Sequence, residues 1–310
     1  MRLDFAWLVV LKRVALGLLG LIIVLAVVFI VLLGPKDKES SQKVDFVVVA
    51  NQRSAEISQN LEKDGVIKNA FAFYLYLKLI SGKILPGTYE LSADQSASDI
   101  AEQLASGRFK VAKITIIEGW RASQMEDYFV TDKKLRQLEG FAKLAESSEG
   151  YLFPDTYEVK IDVTSEEIVK LMRETFDKKT AKLRITPETV ILASIVERES
   201  LGDEDRSQIA GVYANRIRQG IRLEADPTIQ YAKGTWAAVT LAEYKSVISP
   251  YNTYLNDGWP PGPICSPGLK SLEAAAAPAK HDYLYFFHAK GQTYFSKTYA
   301  EHAAKVRQNF

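Results

Sequence analysis

The sequence predicts an α+β protein hung from one N-terminal transmembrane helix. Three features carry that expectation. Val14 to Leu33 runs for twenty residues without a charge, enough to cross roughly 30 Å of hydrocarbon as a helix. β-branched runs and helical periods alternate irregularly from Val44 onward. The segment Thr186 to Asp203, TPETVILASIVERESLGD, reads as a helix apolar on nearly every side. The expected organisation is a tail over 1–13, the transmembrane helix over 14–33, a polar linker over 34–43, a small strand-and-helix subdomain over 44–112 and a larger mixed domain over 113–310.

Composition narrows the function classes. The 310 residues carry a net charge of +1 with no Lys/Arg-rich run, which argues against a nucleic-acid partner. His281, His288 and His302 lack zinc spacing and Cys265 is alone, so no metal, no cofactor and no internal disulfide are expected. No small-residue cleavage motif follows the apolar stretch, which marks an anchor rather than a removed signal peptide. Arg2, Lys12 and Arg13 precede it, while Lys36, Asp37, Lys38 and Glu39 beyond it offset one another. The positive-inside rule then leaves the N-terminus in the cytoplasm and everything after Gly34 outside.

After a linker carrying Pro35, Ser40 and Ser41, Val44 to Val49 reads as a strand and Ser54 as the cap of a helix with Ile57 and Leu61 inward. A second helix is expected over Ala70 to Ile80, a strand over Gly87 to Leu91 (GTYEL), and a helix capped by Ser96 with Gly107 near its end. Ile114 to Ile117 forms a strand that turns at Glu118, Gly119 and Trp120, and Ser123 starts a helix. Helical periods follow over Leu135 to Ala145 and Glu166 to Phe176. Between them EGYLFPDTY, Glu149 to Tyr157, is an aromatic loop that suits either a sugar face or a core plug. Gln208 to Arg218 is an amphipathic helix with Ile209, Val212, Tyr213 and Ile217 inward. DPTIQY (Asp226 to Tyr231), SPYNTY (Ser249 to Tyr254) and GWPPGPICSPG (Gly258 to Gly268) follow. Four prolines and three glycines in eleven residues make the last a loop of fixed shape. Such loops suit polyol recognition, and they also occur as plain connections.

The buried helix holds the candidate chemistry. Thr186 suits its cap, Pro187 its first position and Glu188 the positive end of the dipole. Its last turn carries Glu197, Arg198, Glu199 and Ser200. Glu199 continues the bulkiest apolar stripe, beyond Leu192, Ile195 and Val196, whereas Glu197 points to another side. A carboxyl against apolar side chains holds its proton toward neutrality, which makes Glu199 the candidate general acid. The same residues read alone also fit a surface cluster in which Arg198 and the glutamates cap the helix.

Two resemblances add to this reading. The order strand, helix, helix, strand, helix over 44–112, with GTYEL, resembles a LysM-like domain, which implies contact with peptidoglycan; a spacer lifting the next domain off the bilayer would have the same order. IVERES, the AGVYANRI helix, DPTIQY, SPYNTY, GWPPGPI with a following SPG, and EGYLFPDTY upstream occur in the order of the endolytic murein transglycosylases of the MltG (YceG-like) family, which the chain resembles from Val44 to its C-terminus. That resemblance implies cleavage of the β-1,4 bond between N-acetylmuramic acid and N-acetylglucosamine within glycan strands, leaving a 1,6-anhydro end. It also implies the cytoplasmic membrane of a bacterium as location, and membrane-bound peptidoglycan synthases as partners. It carries the catalytic glutamate to Glu199, whose pairing with Ser200 is similar to the Glu-Ser pair of lysozyme-like lytic transglycosylases.

Ser200, Glu197 and Arg206 are then expected to support the acid, and Asp226, Thr228, Gln230, Tyr231, Asn252 and Tyr254 to bind the glycan. The sequence departs from the family at Thr293, where G-x-H-x-F has histidine, at Ala303, where asparagine follows the last histidine, and at Ser266, where N-P-G has asparagine. No catalytic role is carried over to the C-terminal histidine. Two other readings stand beside this one, a non-catalytic membrane-tethered scaffold that binds the wall and a muramidase that uses water.

Overall fold

The computed structural model describes residues 5–310, so Arg2 lies outside the described residues. α1 (Phe5–Leu33) is one uninterrupted helix. Its stretch Val9–Leu33, 25 residues of which the most apolar eighteen have a mean hydropathy of 3.4, is long and apolar enough to cross a membrane. The helix begins ahead of the charge-free stretch because Lys12 and Arg13 are good helix formers. They limit the apolar span, not the helix. The chain divides into two units, one running to Ala112 and taking in Lys160–Asp162, the other comprising Lys113–Val159 and Val163–Phe310.

In the first unit β1 (Lys43–Val48) pairs antiparallel with β2 (Gly87–Ser92), from Lys43 opposite Ser92 to Val48 opposite Gly87. Alternation puts Phe46 and Val48 on the inner face. α2 (Ser54–Lys63), α3 (Ala70–Leu79) and α4 (Ala97–Ser106) close over them with Ile57, Leu61, Phe73, Ile100 and Leu104. Ser96 caps α4 through a reciprocal bond with Asp99, and Gly107 at φ 70° ends it. Ser54 does not cap α2. Arg53 takes the cap position without a side-chain bond, and the Ser54 carbonyl accepts from Ser58 Oγ at 2.7 Å.

β3 (Val111–Thr115) pairs with β4 (Thr156–Lys160), and α5 (Ala122–Asp127) and α6 (Phe141–Ala145) lie between them in sequence. The helical period expected over Leu135 to Ala145 is broken by Gly140 at φ 89°, which leaves a short 3-10 turn at Arg136–Leu138 ahead of α6. The remaining helices are α7 (Ser165–Thr180), α8 (Pro187–Glu199), α9 (Asp203–Arg218), α10 (Asp226–Ala232), α11 (Glu243–Ser246) and α12 (Leu269–Ala276). A hairpin of β5 (Tyr285–Ala289) and β6 (Gln292–Ser296) precedes α13 (Tyr299–Asn309).

α8 is the axis of this second unit. Thr186 caps it in a reciprocal bond with Thr189, Pro187 opens it, and every residue from Val190 to Val196 is buried. Phe176 of α7, Ile209 and Tyr213 of α9 and Leu272 of α12 complete the core around it. The proline-rich loop is strapped to α8 by three bonds: Ile264 N–H donates to Ser194 Oγ (3.0 Å), Cys265 Sγ to the Ser194 carbonyl (3.3 Å) and Gly268 N–H to Glu197 Oε2 (2.9 Å). A Cβ at Gly268 would meet the end of the Glu118 side chain, which would have to move aside.

Candidate active site

Glu199 is the last residue of α8, where the buried helix reaches the wall of a cavity of about 620 Å³. Facing residues come from distant parts of the second unit: Tyr213 from α9, Asp226 from α10, Tyr244 from α11, Tyr254 from the SPYNTY loop, and Tyr285, Phe286, Phe287 and His288 from β5. Tyr213 sits on the inward face of α9, and its hydroxyl donates to Glu199 Oε1 at 2.9 Å. Burial and the adjacent carboxylate push that hydroxyl well above the ordinary tyrosine range, so it remains a donor.

The carboxyl of Glu199 is pushed up to about 7, chiefly by burial. Tyr213's bond pulls against that shift, and the charge of Asp226 adds to it. The outcome is a group that holds a proton near neutrality yet faces a void of sugar size. Asp226, by contrast, accepts from two hydroxyls. Tyr254 Oη donates to its Oδ1 at 2.7 Å and Tyr244 Oη to its Oδ2 at 3.4 Å, the two rings stacking at 4.2 Å.

Of the residues expected to form the site, Glu199, Asp226 and Tyr254 line the cavity together. The others have protein partners. Glu197 pairs with Arg206 Nη1 at 3.3 Å, both side chains being nearly buried, and Arg206 also donates to Ser271 Oγ. Ser200 closes α8, its Oγ donating to the Val196 carbonyl at 2.9 Å. Asn252 is buried and shapes its loop, donating to the Tyr244 and Val247 carbonyls and accepting from Tyr254 N–H. Thr228 donates to the Ala225 carbonyl and Gln230 to that of Ala237. Tyr231 packs on Tyr251 with ring centres 4.7 Å apart. Arg198 lies 4.1 Å over the Trp236 ring rather than against a glutamate.

Sequence reasoning did not find Tyr213, Tyr244, Tyr285, Phe286, Phe287 and His288 as site residues. Tyr213 left a usable signal, since a tyrosine on an inward helix face needs a partner for its hydroxyl. On the hairpin, His288 and Thr293 are directly opposed. Thr293 Oγ1 donates to Asp205 Oδ2 at 2.6 Å and lies 3.0 Å from His288 Nδ1. A hydroxyl has one proton, so Nδ1 is the donor to Thr293. His288 Nε2, shut off from solvent, has no hydrogen-bond partner. The position where the family pattern has histidine thus holds a threonine that orients a histidine on the facing strand. Among the described residues no group of three or more His, Cys, Asp or Glu gathers as a metal site.

The chain is similar to known proteins over most of its length. A relative in Bacillus subtilis (strain 168), named endolytic murein transglycosylase, is 33% identical, the match covering 87% of this chain and 86% of that protein. One of the same name in Streptococcus pneumoniae is 28% identical over 89% of this chain, which spans 60% of that longer protein. A crystal structure of a yceG-like protein from Listeria monocytogenes matches with a TM-score of 0.56 at 33% identity, covering 86% of this chain and 100% of that one. The model of the YceG-like family matches residues 46–308, and the chain belongs to that family.

Proposed function

We propose that this chain is an endolytic lytic transglycosylase of peptidoglycan in which Glu199 serves in turn as general acid and general base. The observation that supports this most is the Glu199 carboxyl at about 7 on the wall of the cavity. Its proton passes to the oxygen bridging N-acetylmuramic acid and N-acetylglucosamine as the C1–O bond breaks. The muramyl C6 hydroxyl then attacks C1, and its proton returns to the Glu199 carboxylate. The product is a 1,6-anhydro end, and no water is consumed. Because nucleophile and electrophile belong to one sugar, proximity replaces the second carboxylate that glycosidases usually need. Tyr213 orients the acid, and the negative charge of Asp226 favours both a protonated Glu199 and a developing positive charge at C1.

Asp226 and Tyr254 meet the glycan directly in this reading, while Thr228, Gln230 and Tyr231 hold α10, and Asn252 the loop, that present them. Glu197, Arg206 and Ser200 fix the end of α8. α1 anchors the chain in the cytoplasmic membrane with its N-terminus inside, which brings cutting close to membrane-bound synthases and limits nascent strand length. The first unit's strand, helix, helix, strand, helix order supports a LysM-like reading, in which a cleft of about 700 Å³ lined by the loops after β1 and before β2 and by Tyr74 and Lys78 of α3 would meet glycan.

Asp226 on the same cavity also favours a second reading, a muramidase that activates water. Incubating the detergent-solubilised full chain with purified murein and weighing the new ends separates the two. Anhydro ends are expected; ends heavier by one water would overturn the transglycosylase assignment, and uncut murein would leave a wall-binding scaffold.

A further inference from the structure

α3 is apolar on two faces. One of them, with Ala72, Phe73 and Leu77, is buried in the first unit's core. The other, with Phe71, Leu75 and Leu79 at successive fourth positions, forms a single stripe, on which Phe71 is 68% and Leu79 is 73% exposed. A helix apolar all round belongs inside protein or lipid.

What lies beside the stripe identifies its occupant. Phe29 of α1 lines an apolar hollow with Leu75, Lys78 and Leu79, and Leu33 packs against the same unit's core. Lys68, just ahead of α3, donates from Nζ to the Val31 carbonyl at 3.2 Å. The Leu75 and Leu79 end of the stripe is therefore level with the penultimate turn of the apolar span, about 6 Å from its end. The charge-free stretch Val14–Leu33 has twenty residues, so it is about 30 Å long and matches roughly 30 Å of hydrocarbon. The level of Phe29 then falls about 6 Å inside the boundary between hydrocarbon and headgroups. Amphipathic helices bury their apolar face at a depth of about 5–10 Å there.

We propose that α3 is an interfacial helix whose Phe71, Leu75 and Leu79 enter the bilayer that α1 crosses, with Lys68 and Lys78 meeting headgroup phosphates. A single span leaves the unit free to swivel; a second contact fixes which way it faces. The proposal rests on α1 as a bilayer span, and its test separates the two.

The full chain, in a Cys265→Ser background, is labelled with one nitroxide at a time through Phe71→Cys, Leu75→Cys, Leu79→Cys, Glu62→Cys or Leu21→Cys. Each variant is reconstituted in phosphatidylcholine–phosphatidylglycerol vesicles, and its accessibility to oxygen is compared with that to a water-soluble nickel chelate. Positions 71, 75 and 79 are expected to favour oxygen several-fold over position 62, at shallow depth, with position 21 deep in hydrocarbon. Chelate access at 71, 75 and 79 with a deep 21 overturns the interfacial helix and leaves the anchor standing. Loss of access to both reagents there overturns it in favour of a protein partner on the stripe. A position 21 in water takes down both readings.

Discussion

Two carboxyls in the second unit are pushed by burial to about 7, Glu199 at the end of α8 and Glu149 in the aromatic loop. Their surroundings differ in kind. Glu149 Oε2 accepts from Ala122 N–H at 3.2 Å, its Oε1 is closed off from solvent without a hydrogen-bond partner, and the neighbouring Arg121 charge favours its ionised form. Arg121 is itself held 4.6 Å over the Trp236 ring. Glu199 instead receives one directed bond from Tyr213 and opens onto the cavity, which Glu149 does not line. A raised pKa therefore marks a desolvated carboxyl and nothing more. Access to a substrate-sized void separates an acid that can work from one that is walled in.

The largest effect that sharpens this contrast is catalytic. Glu199→Gln keeps shape and Tyr213's bond but cannot deliver a proton, so release of anhydro ends should fall about 10²–10⁴-fold with the melting transition retained. Glu149→Gln should stay within a few-fold of wild type in the same assay with its melting transition retained, because a carboxyl that burial holds toward its neutral form is replaced by a neutral isostere and lines no cavity. An inactive Glu149→Gln that melts normally would reverse the assignment.

How much of this could be read from the sequence follows the range of the interactions. α8 was legible because its signals are local: Thr186, Pro187 and an apolar run with no polar face. The separation of Glu199 from Glu197 followed from helical spacing alone, and the structure has them on different partners, Tyr213 and Arg206. The aromatic wall was not legible, since Tyr285 to His288 lie more than 80 positions beyond Glu199 and reach its cavity only through tertiary packing. The polar residues of DPTIQY and SPYNTY look like sugar ligands in one dimension. Thr228, Gln230 and Asn252 spend their hydrogen bonds on backbone carbonyls instead, a choice that depends on loop conformations no local pattern specifies.

A second, smaller effect concerns stability. Glu199 folded titrates at about 7, well above an unfolded glutamate near 4.3. Between those values the native state binds more protons than the unfolded one, so stability present below about pH 4 is lost as pH rises through about 7. Glu199→Gln does not titrate. Its unfolding free energy relative to wild type should rise across that window by about 3 kcal/mol. Urea unfolding at pH 4 and pH 8 checks this, and an equal difference at both pH values would mean that Glu199 is not held protonated.

Smaller again are shifts in the pH profile. The acid must be protonated, so activity should decline as pH rises through about 7. Tyr213→Phe removes the bond that favours carboxylate, and the limb should move to higher pH; Asp226→Asn removes a repelling charge, and the limb should move lower. Each shift should be about one unit or less. Rates will fall in both variants, which makes the position of the limb the informative quantity. Limbs moving in the same direction would mean that these two neighbours do not set Glu199's proton affinity.

The smallest effect tests the hairpin side of the cavity. His288 Nε2 and Glu149 Oε1 are both buried polar atoms without a partner, yet the histidine belongs to the residues lining Glu199's cavity. The chain Asp205, Thr293, His288 directs Nδ1–H at Thr293, and the expected role of Nε2 on the cavity wall is to accept from a glycan hydroxyl. Thr293→Val keeps the shape and breaks the chain. Nitrogen NMR should find the Nδ1–H tautomer of His288 in wild type and a mixture in the variant, with the Michaelis constant raised a few-fold and turnover little changed. A wild-type His288 protonated on Nε2 would mean that the chain runs in the opposite sense and that Nε2 is a donor. The orphaned atom would then be a feature of packing, as it is at Glu149.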